Sequence, residues 1–254
     1  MHISKSLNFI FMMFIISILV ISNVFADENN NTSDEASSLE VEEILVTANR
    51  TEQSISDVSQ AVQALSGDDL QDLQITDFEQ MIDLIPGAVQ NSSISQGSNV
   101  YSIRGVASAE TDGDATIGYY LDNFAFSIPG RPYAPVTDIY DTERVEVLRG
   151  PSGTLYGLGS LGGTIKVITK DPVLGEFEGS FKATLADIDD GDSSHTGDLM
   201  INIPLSETAA LRGVLSIKDI GGWAEIIPSN QTDGNPYDGI TGRLKLLVEP
   251  SEDL

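Results

Sequence analysis

The chain contains no cysteine, which excludes disulfides, thiolate zinc sites and cysteine nucleophiles. Histidine is almost missing. His2 lies in a segment that reads as removable and His195 stands alone in a polar stretch, so no metal site is assigned. Basic residues are few: 13 Lys+Arg against 39 Asp+Glu give a net charge of −26. Phosphate contacts need a basic face, so nucleic acid is not expected as a partner. No G-x-S-x-G elbow and no plausible histidine base accompany the Ser, Asp and Glu residues, so no catalytic residues and no enzyme are expected. Long apolar runs are scarce too. The longest, residues 9–21, has 13 residues, short of the ~20 that a spanning helix needs.

That run does suit a secretory signal. Lys5 precedes it, and Val24-Phe25-Ala26 follows it with small or aliphatic residues at the −3 and −1 positions before Asp27. Cleavage after Ala26 is expected, with an uncleaved anchor helix as the alternative. Removing Lys5 takes the net charge to −27. Residues 27–41 are acidic, polar and nearly free of large apolar groups. They cannot bury enough surface to order themselves and read as a tether, too short for a folded signalling domain. Residues 42–50 then contain the β-prone patch Ile44-Leu45-Val46. A short extended patch after a tether suits strand addition to a partner's sheet edge. The first strand of the following domain is the alternative.

Residues 51–172 mix short helices, short strands and glycine turns. Residues 58–65, VSQAVQAL, read as a strand. Ser66 with Asp69 forms a helix start, and Thr76 with Glu79 repeats the pattern. Phe78, Met81, Ile82 and Ile85 fall on one helical face. Residues 117–126, IGYYLDNFAF, read as a hairpin around Asp122-Asn123. The loop 157–162 matches GxGxxG. A dinucleotide site needs a helix after that loop, whereas here the β-branched run TIKVIT follows, so the glycines are read as tight packing or positive φ. Residues 187–192 lack the glycine position and the bidentate Glu of a calcium loop.

Beyond Pro172 come four alternating segments of about ten residues, the length of a tilted membrane strand. Their connections alternate between long and tight, as in outer-membrane barrels. A soluble antiparallel sheet is the alternative.

Several of these segments resemble the TonB-dependent outer-membrane receptors. EEILVTA at 42–48 looks like a TonB box. SIRGV at 102–106, VEVLRGPSGTLYG at 145–157 and GGTIKVIT at 162–169 are similar to that family's plug, in order and spacing. The resemblance implies an α+β plug domain, with short helices and a small mixed β-sheet, followed by antiparallel β-strands of an incomplete transmembrane β-barrel. It implies energy-coupled uptake of a scarce ligand, by default a ferric siderophore, with cobalamin, heme or glycan as other cargoes. It implies no covalent chemistry and no cofactor. Its partners would be outer-membrane lipid and the periplasmic domain of TonB, contacted by Glu43, Ile44, Leu45, Val46, Thr47 and Ala48. Arg104 and Arg149 would latch the plug to carboxylates on the barrel wall. Asp112, Asp114, Arg131 and Tyr133 would face the ligand. A periplasmic plug-like binding module is the competing reading. One departure stands out. A 22-stranded barrel at ten residues per strand needs ~220 residues of strand, and residues 173–254 hold about four strands. A fragment or truncated product is therefore expected, unable to transport as it stands, because lipid does not tolerate open sheet edges.

Overall fold

The computed structural model describes residues 45–47, 50–75, 77–93, 99–107, 113–127, 129–134, 138–157, 159–187, 189, 191–226 and 231–250. All of them belong to one compact unit, residues 43–254. The signal-like segment and the tether lie outside the described residues.

β1 (Leu45–Val46) and β2 (Gln53–Ser54) pair antiparallel, with Leu45 opposite Ser54. β3 (Ala61–Ser66) runs into helix α1 (Gly67–Asp72). The expected reciprocal cap is present: Asp69 N donates to Ser66 Oγ at 3.0 Å, and Ser66 N donates to Asp69 Oδ2 at 3.1 Å. Two orphan amides of the first turn are satisfied in this way. Helix α2 (Phe78–Asp83) is capped one residue later than the sequence pattern suggests. Asp77 is the cap, accepting from Gln80 N at 2.8 Å, and the expected Thr76 lies outside the described residues. Aspartate caps at least as well as threonine. Glu79, expected to reach back to the cap, instead accepts from the Asn99 side chain.

β4 (Ala88–Ser93), β5 (Asn99–Ile103) and β6 (Val106–Ala107) form an antiparallel sheet. β7 (Ile117–Leu121) and β8 (Phe124–Ala125) make the expected hairpin, in which Asp122 takes a φ of 51°. β9 (Thr142–Arg149), the short helix α3 (Gly153–Tyr156) and β10 (Gly163–Thr169) complete this part. Five strands join in the order β3-β9-β10-β7-β8, and the β10–β7 pairing is parallel. The sheet is therefore mixed, as expected. Alternate residues of its strands serve two faces. Val145, Val147, Ile165, Val167, Ile117 and Tyr119 pack with Phe78, Met81, Ile82 and Ile85 in the main core. Glu146, Leu148 and Lys166 occupy the opposite face, where a smaller core forms.

Four long strands follow: β11 (Glu178–Asp187), β12 (Ser193–Ser206), β13 (Ala209–Ile220) and, after the hairpin β14 (Ala224–Ile226) and β15 (Gln231–Gly234), β16 (Tyr237–Val248). They lie in the order β11-β12-β13-β16, antiparallel throughout. The connection after β13, expected as an open loop, contains the β14–β15 hairpin. Asn235 Oδ1 accepts from Trp223 N and Ala224 N, both at 3.1 Å, and so closes the segment on itself. Asn202 ties the sheet to the preceding linker, donating from Nδ2 to the carbonyls of Val173 and Glu176.

Burial in this sheet is inverted relative to a water-soluble protein. Asn202, Arg212 and Ser216, on the side facing the preceding domain, are at most 4% exposed. Ile240, Leu244 and Leu185, on the other side, are 77%, 72% and 76% exposed. An antiparallel sheet in water buries its apolar face. A wall with lipid outside does the reverse.

Candidate functional site

The segment expected to meet a partner is folded against the plug. Val46 is fully buried with Leu148 and Tyr156, whereas Leu45 points outward. The next residue is held by three side chains. Thr47 N donates to Glu146 Oε1 at 2.8 Å, and its hydroxyl lies 3.1 Å from Glu146 Oε2. Lys166 Nζ donates to that hydroxyl at 2.6 Å, and Tyr156 OH donates to the Thr47 carbonyl at 3.1 Å. Arg50 closes the segment, donating from Nε to the Leu155 carbonyl at 2.8 Å, with its guanidinium 5.3 Å from the Tyr156 ring centre. Glu43, Ile44 and Ala48 lie outside the described residues.

Strand register makes this pocket. Glu146 of β9 is the direct cross-strand partner of Lys166 on β10, with Ala64 of β3 on its other side. The small Ala64 and the polar pair leave a shallow seat on the sheet. Arg144 Nε braces Glu146 Oε1 at 2.9 Å. Burial lowers the Lys166 ammonium from its ordinary range, against the opposing pull of Glu146. Burial, reinforced by Glu146, pushes the Tyr156 phenol up to about 12. None of these residues stands out in the sequence, because Glu146 and Lys166 occupy alternate positions that read as a solvent face.

A pH prediction follows from Tyr156. Its pKa is raised in the docked state, so its contribution is complete below the ordinary value of ~10. It is lost as pH rises toward about 12. A spin label at Leu45→Cys should gain mobility across that window. Tyr156→Phe should start more mobile at pH 8 and change less between pH 10 and 12; an unaltered profile would show that the phenol does not hold the segment.

The glycine-rich loop behaves as packing. Helix α3 precedes it and strand β10 follows, so no helix N-terminus is offered to a phosphate. Gly150 N donates to the Gly162 carbonyl at 3.0 Å, and Ser152 N donates to the Ser160 carbonyl at 2.9 Å. A Cβ on Gly163 would stand 2.5 Å from the Leu148 carbonyl oxygen. Helix α3 itself is not signalled by any periodicity, being a single turn ended by Gly157 at φ 71°.

The Arg104 side chain lies beside Gly150, which follows Arg149 in the chain. Arg104 sits in the β5–β6 turn at φ 53°, and its Nη1 would be 3.7 Å from a Cβ on Gly150. Arg149 Nε is buried and has no hydrogen-bond partner among the described residues. No carboxylate among the described residues pairs with either guanidinium. Of the residues expected to face a ligand, Asp114 joins two loops by accepting from Gly130 N at 2.8 Å. Arg131 beside it is exposed and Tyr133 is half-buried. Asp112 lies outside the described residues.

Comparison with known proteins agrees with this arrangement. The TonB-dependent receptor plug domain family matches residues 54–164. The chain is 31% identical over 108 residues to the pesticin receptor of Yersinia pestis, covering 42% of this chain and 16% of that protein. It is 30% identical over 206 residues to the metal-pseudopaline receptor of Pseudomonas aeruginosa, covering 80% of this chain and 25% of that protein. Among solved structures, the ferric yersiniabactin uptake receptor of Yersinia pestis superposes with a TM-score of 0.62 at 22% identity, over 78% of this chain and 30% of that one. The chain therefore spans a quarter or less of the length of these two curated relatives.

Proposed function

We propose that this chain, which carries the plug of the TonB-dependent receptors together with antiparallel strands of the barrel wall, is the gate of an outer-membrane uptake receptor driven by a TonB-type partner. The inverted burial of the four-stranded sheet carries this reading: apolar side chains face outward and polar ones face the plug. The proposed division is a signal peptide at 1–26, a tether to 41, the partner-binding box at 42–50, the plug at 51–172 and wall strands from 173. The proposed cargo is a metal chelate of the siderophore class. That choice is supported by matches to receptors named for metal-pseudopaline and ferripyoverdine.

The docked box suits a gate that opens on demand. Burying Val46 contributes roughly 1.5–3 kcal/mol, and each hydrogen bond to the charged Glu146 or Lys166 contributes about as much. Docking at this scale is reversible. A partner that binds only the freed strand pulls the equilibrium by RT ln(1 + [L]/Kd), about 2.7 kcal/mol at a hundred times its Kd. Strand addition would use the backbone of Leu45–Thr47 and the pockets for alternate side chains. Arg104 and Arg149 are proposed to grip the wall, and the loops joined by Asp114 and Gly130, with Arg131 and Tyr133, to face the ligand.

The test is retention of this chain, in detergent micelles, on an immobilised periplasmic domain of the partner. Val46→Pro removes a backbone donor and fixes φ, so retention should be lost. Equal retention of the native and proline chains would contradict strand addition at this segment. Recovery of the chain from the soluble fraction, without detergent, would overturn the wall reading.

A further inference from the structure

The plug and the described strands meet through charges of the opposite polarity to the expected latch. In that latch the plug supplies arginines. Along the described wall the plug supplies carboxylates and the strands supply cations. Asp141, at the turn before β9 with φ 57°, has a side chain only 4% exposed. Arg212 of β13 grips it with two donors, Nη2 to Oδ1 at 2.6 Å and Nε to Oδ2 at 3.0 Å. Arg243 of β16 donates from Nη2 to Oδ2 and to the Asp141 carbonyl, both at 2.9 Å. Arg212 Nη1 reaches Glu178 of β11 at 3.0 Å. Beside this knot, Lys245 of β16 reaches Asp171 at 2.9 Å and Asp122 at 3.4 Å, and Lys218 of β13 lies 3.7 Å from Asp138.

Two physical features make this more than a scatter of ion pairs. Arg212 and Lys245 are direct cross-strand partners, with Arg243 two residues before Lys245 on the same face. Like charges placed that way repel, so this side of the wall needs an anion to lie flat. A cavity of about 570 Å³ opens between the plug and the strands here, lined by apolar side chains such as Leu70, Ile139 and Met200 as well as by Asp141, Asp198 and Arg212, so apolar contact around it is incomplete. Arg212 is only 4% exposed, so removing Asp141 leaves a buried guanidinium with Glu178 as its remaining carboxylate among the described residues, costlier than losing a surface pair.

We infer that residues 138–142 form a carboxylate tooth recognised by the cationic row of the wall, with Asp141 as the residue that positions β11, β12, β13 and β16 against the plug. This assignment stands apart from cargo and partner, so failure of the transport reading leaves it intact. This contact is opposite in sign to the proposed arginine latch, because here the plug supplies the buried aspartate.

The experiment uses the full chain in detergent micelles. Spin labels at Leu73→Cys and Ala183→Cys span the seam, and a control pair at Leu73→Cys and Leu155→Cys stays within the plug; the absence of native cysteine makes both unique. In Asp141→Asn the seam distance distribution should become roughly twice as wide, as expected when a buried partner loses its charge, with the control pair unchanged. Asp141→Glu should recover part of the native width. A native distribution in Asp141→Asn overturns the assignment. If both pairs broaden in that variant, Arg243→Gln, which leaves every plug residue in place, decides: a broadened seam supports the tooth and a native one refutes it.

Discussion

Replacing Glu146 with alanine is expected to free the segment at Leu45–Thr47 and to destabilise the plug by about 3–5 kcal/mol, the cost of breaking a buried ion pair by removing one partner. Glu146 is fully buried and accepts from Arg144 Nε, Thr47 N and the Thr47 hydroxyl. Its loss leaves two cations, Arg144 and Lys166, on a half-covered sheet face without their shared anion. An exposed pair would cost at most ~1 kcal/mol, so the size of the effect separates a clamp from a surface contact. Glu146→Gln keeps the shape and one acceptor, and should fall between the two. Two readouts are needed: the urea midpoint of the chain and the mobility of a label at Leu45→Cys. A normal midpoint with an immobile label in Glu146→Ala would remove Glu146 from the clamp. On the proposed mechanism, the same variant should be retained more strongly by the partner's periplasmic domain, because the docked state no longer competes.

Gly163→Ala should damage the plug by a different route. The added Cβ would lie 2.5 Å from the Leu148 carbonyl oxygen and 2.9 Å from Ile103 Cδ1. The first of these atoms is backbone within a strand pair and cannot turn aside, so relief requires β9 and β10 to separate. Overpacking of this kind costs about 1–3 kcal/mol, occasionally more. Gly157→Ala is the control. Gly157 has φ 71° and ψ −153°, a region essentially confined to glycine, but nothing within 4 Å of its added Cβ, so only a backbone penalty of ~1–3 kcal/mol applies. If Gly157→Ala proved the more damaging, backbone conformation and not close approach would govern the loop. Thermal midpoints followed by circular dichroism would rank the two.

Both predictions concern features that sequence reading reached unevenly. The glycine loop was legible as packing, because the β-branched run after it leaves no helix for a phosphate. The hairpin at Asp122-Asn123, the cap at Ser66 and the buried face of Phe78, Met81, Ile82 and Ile85 were legible because their signals are local. The cap of the second helix fell one residue later, since Thr76 and Asp77 are adjacent residues that can both cap. The four long strands were legible from a period of two, but which face was buried was not. Period two gives the same pattern whether the apolar side meets a core or lipid. The exposure of Leu185, Ile240 and Leu244 against the burial of Arg212 and Asn202 resolves that.

The sequence by itself therefore determined the longer elements, their order and the family resemblance, which depend on residues close together in the chain, but not the single-turn helix α3 or the β14–β15 hairpin. Only the tertiary structure decided how the partner-binding segment is held and how plug and wall adhere. Thr47 meets Glu146 across 99 positions, and Arg212 meets Asp141 across 71. Such pairs depend on strand register and on what covers each face, and a charged residue looks the same in sequence whether it ends in water or in a buried clamp.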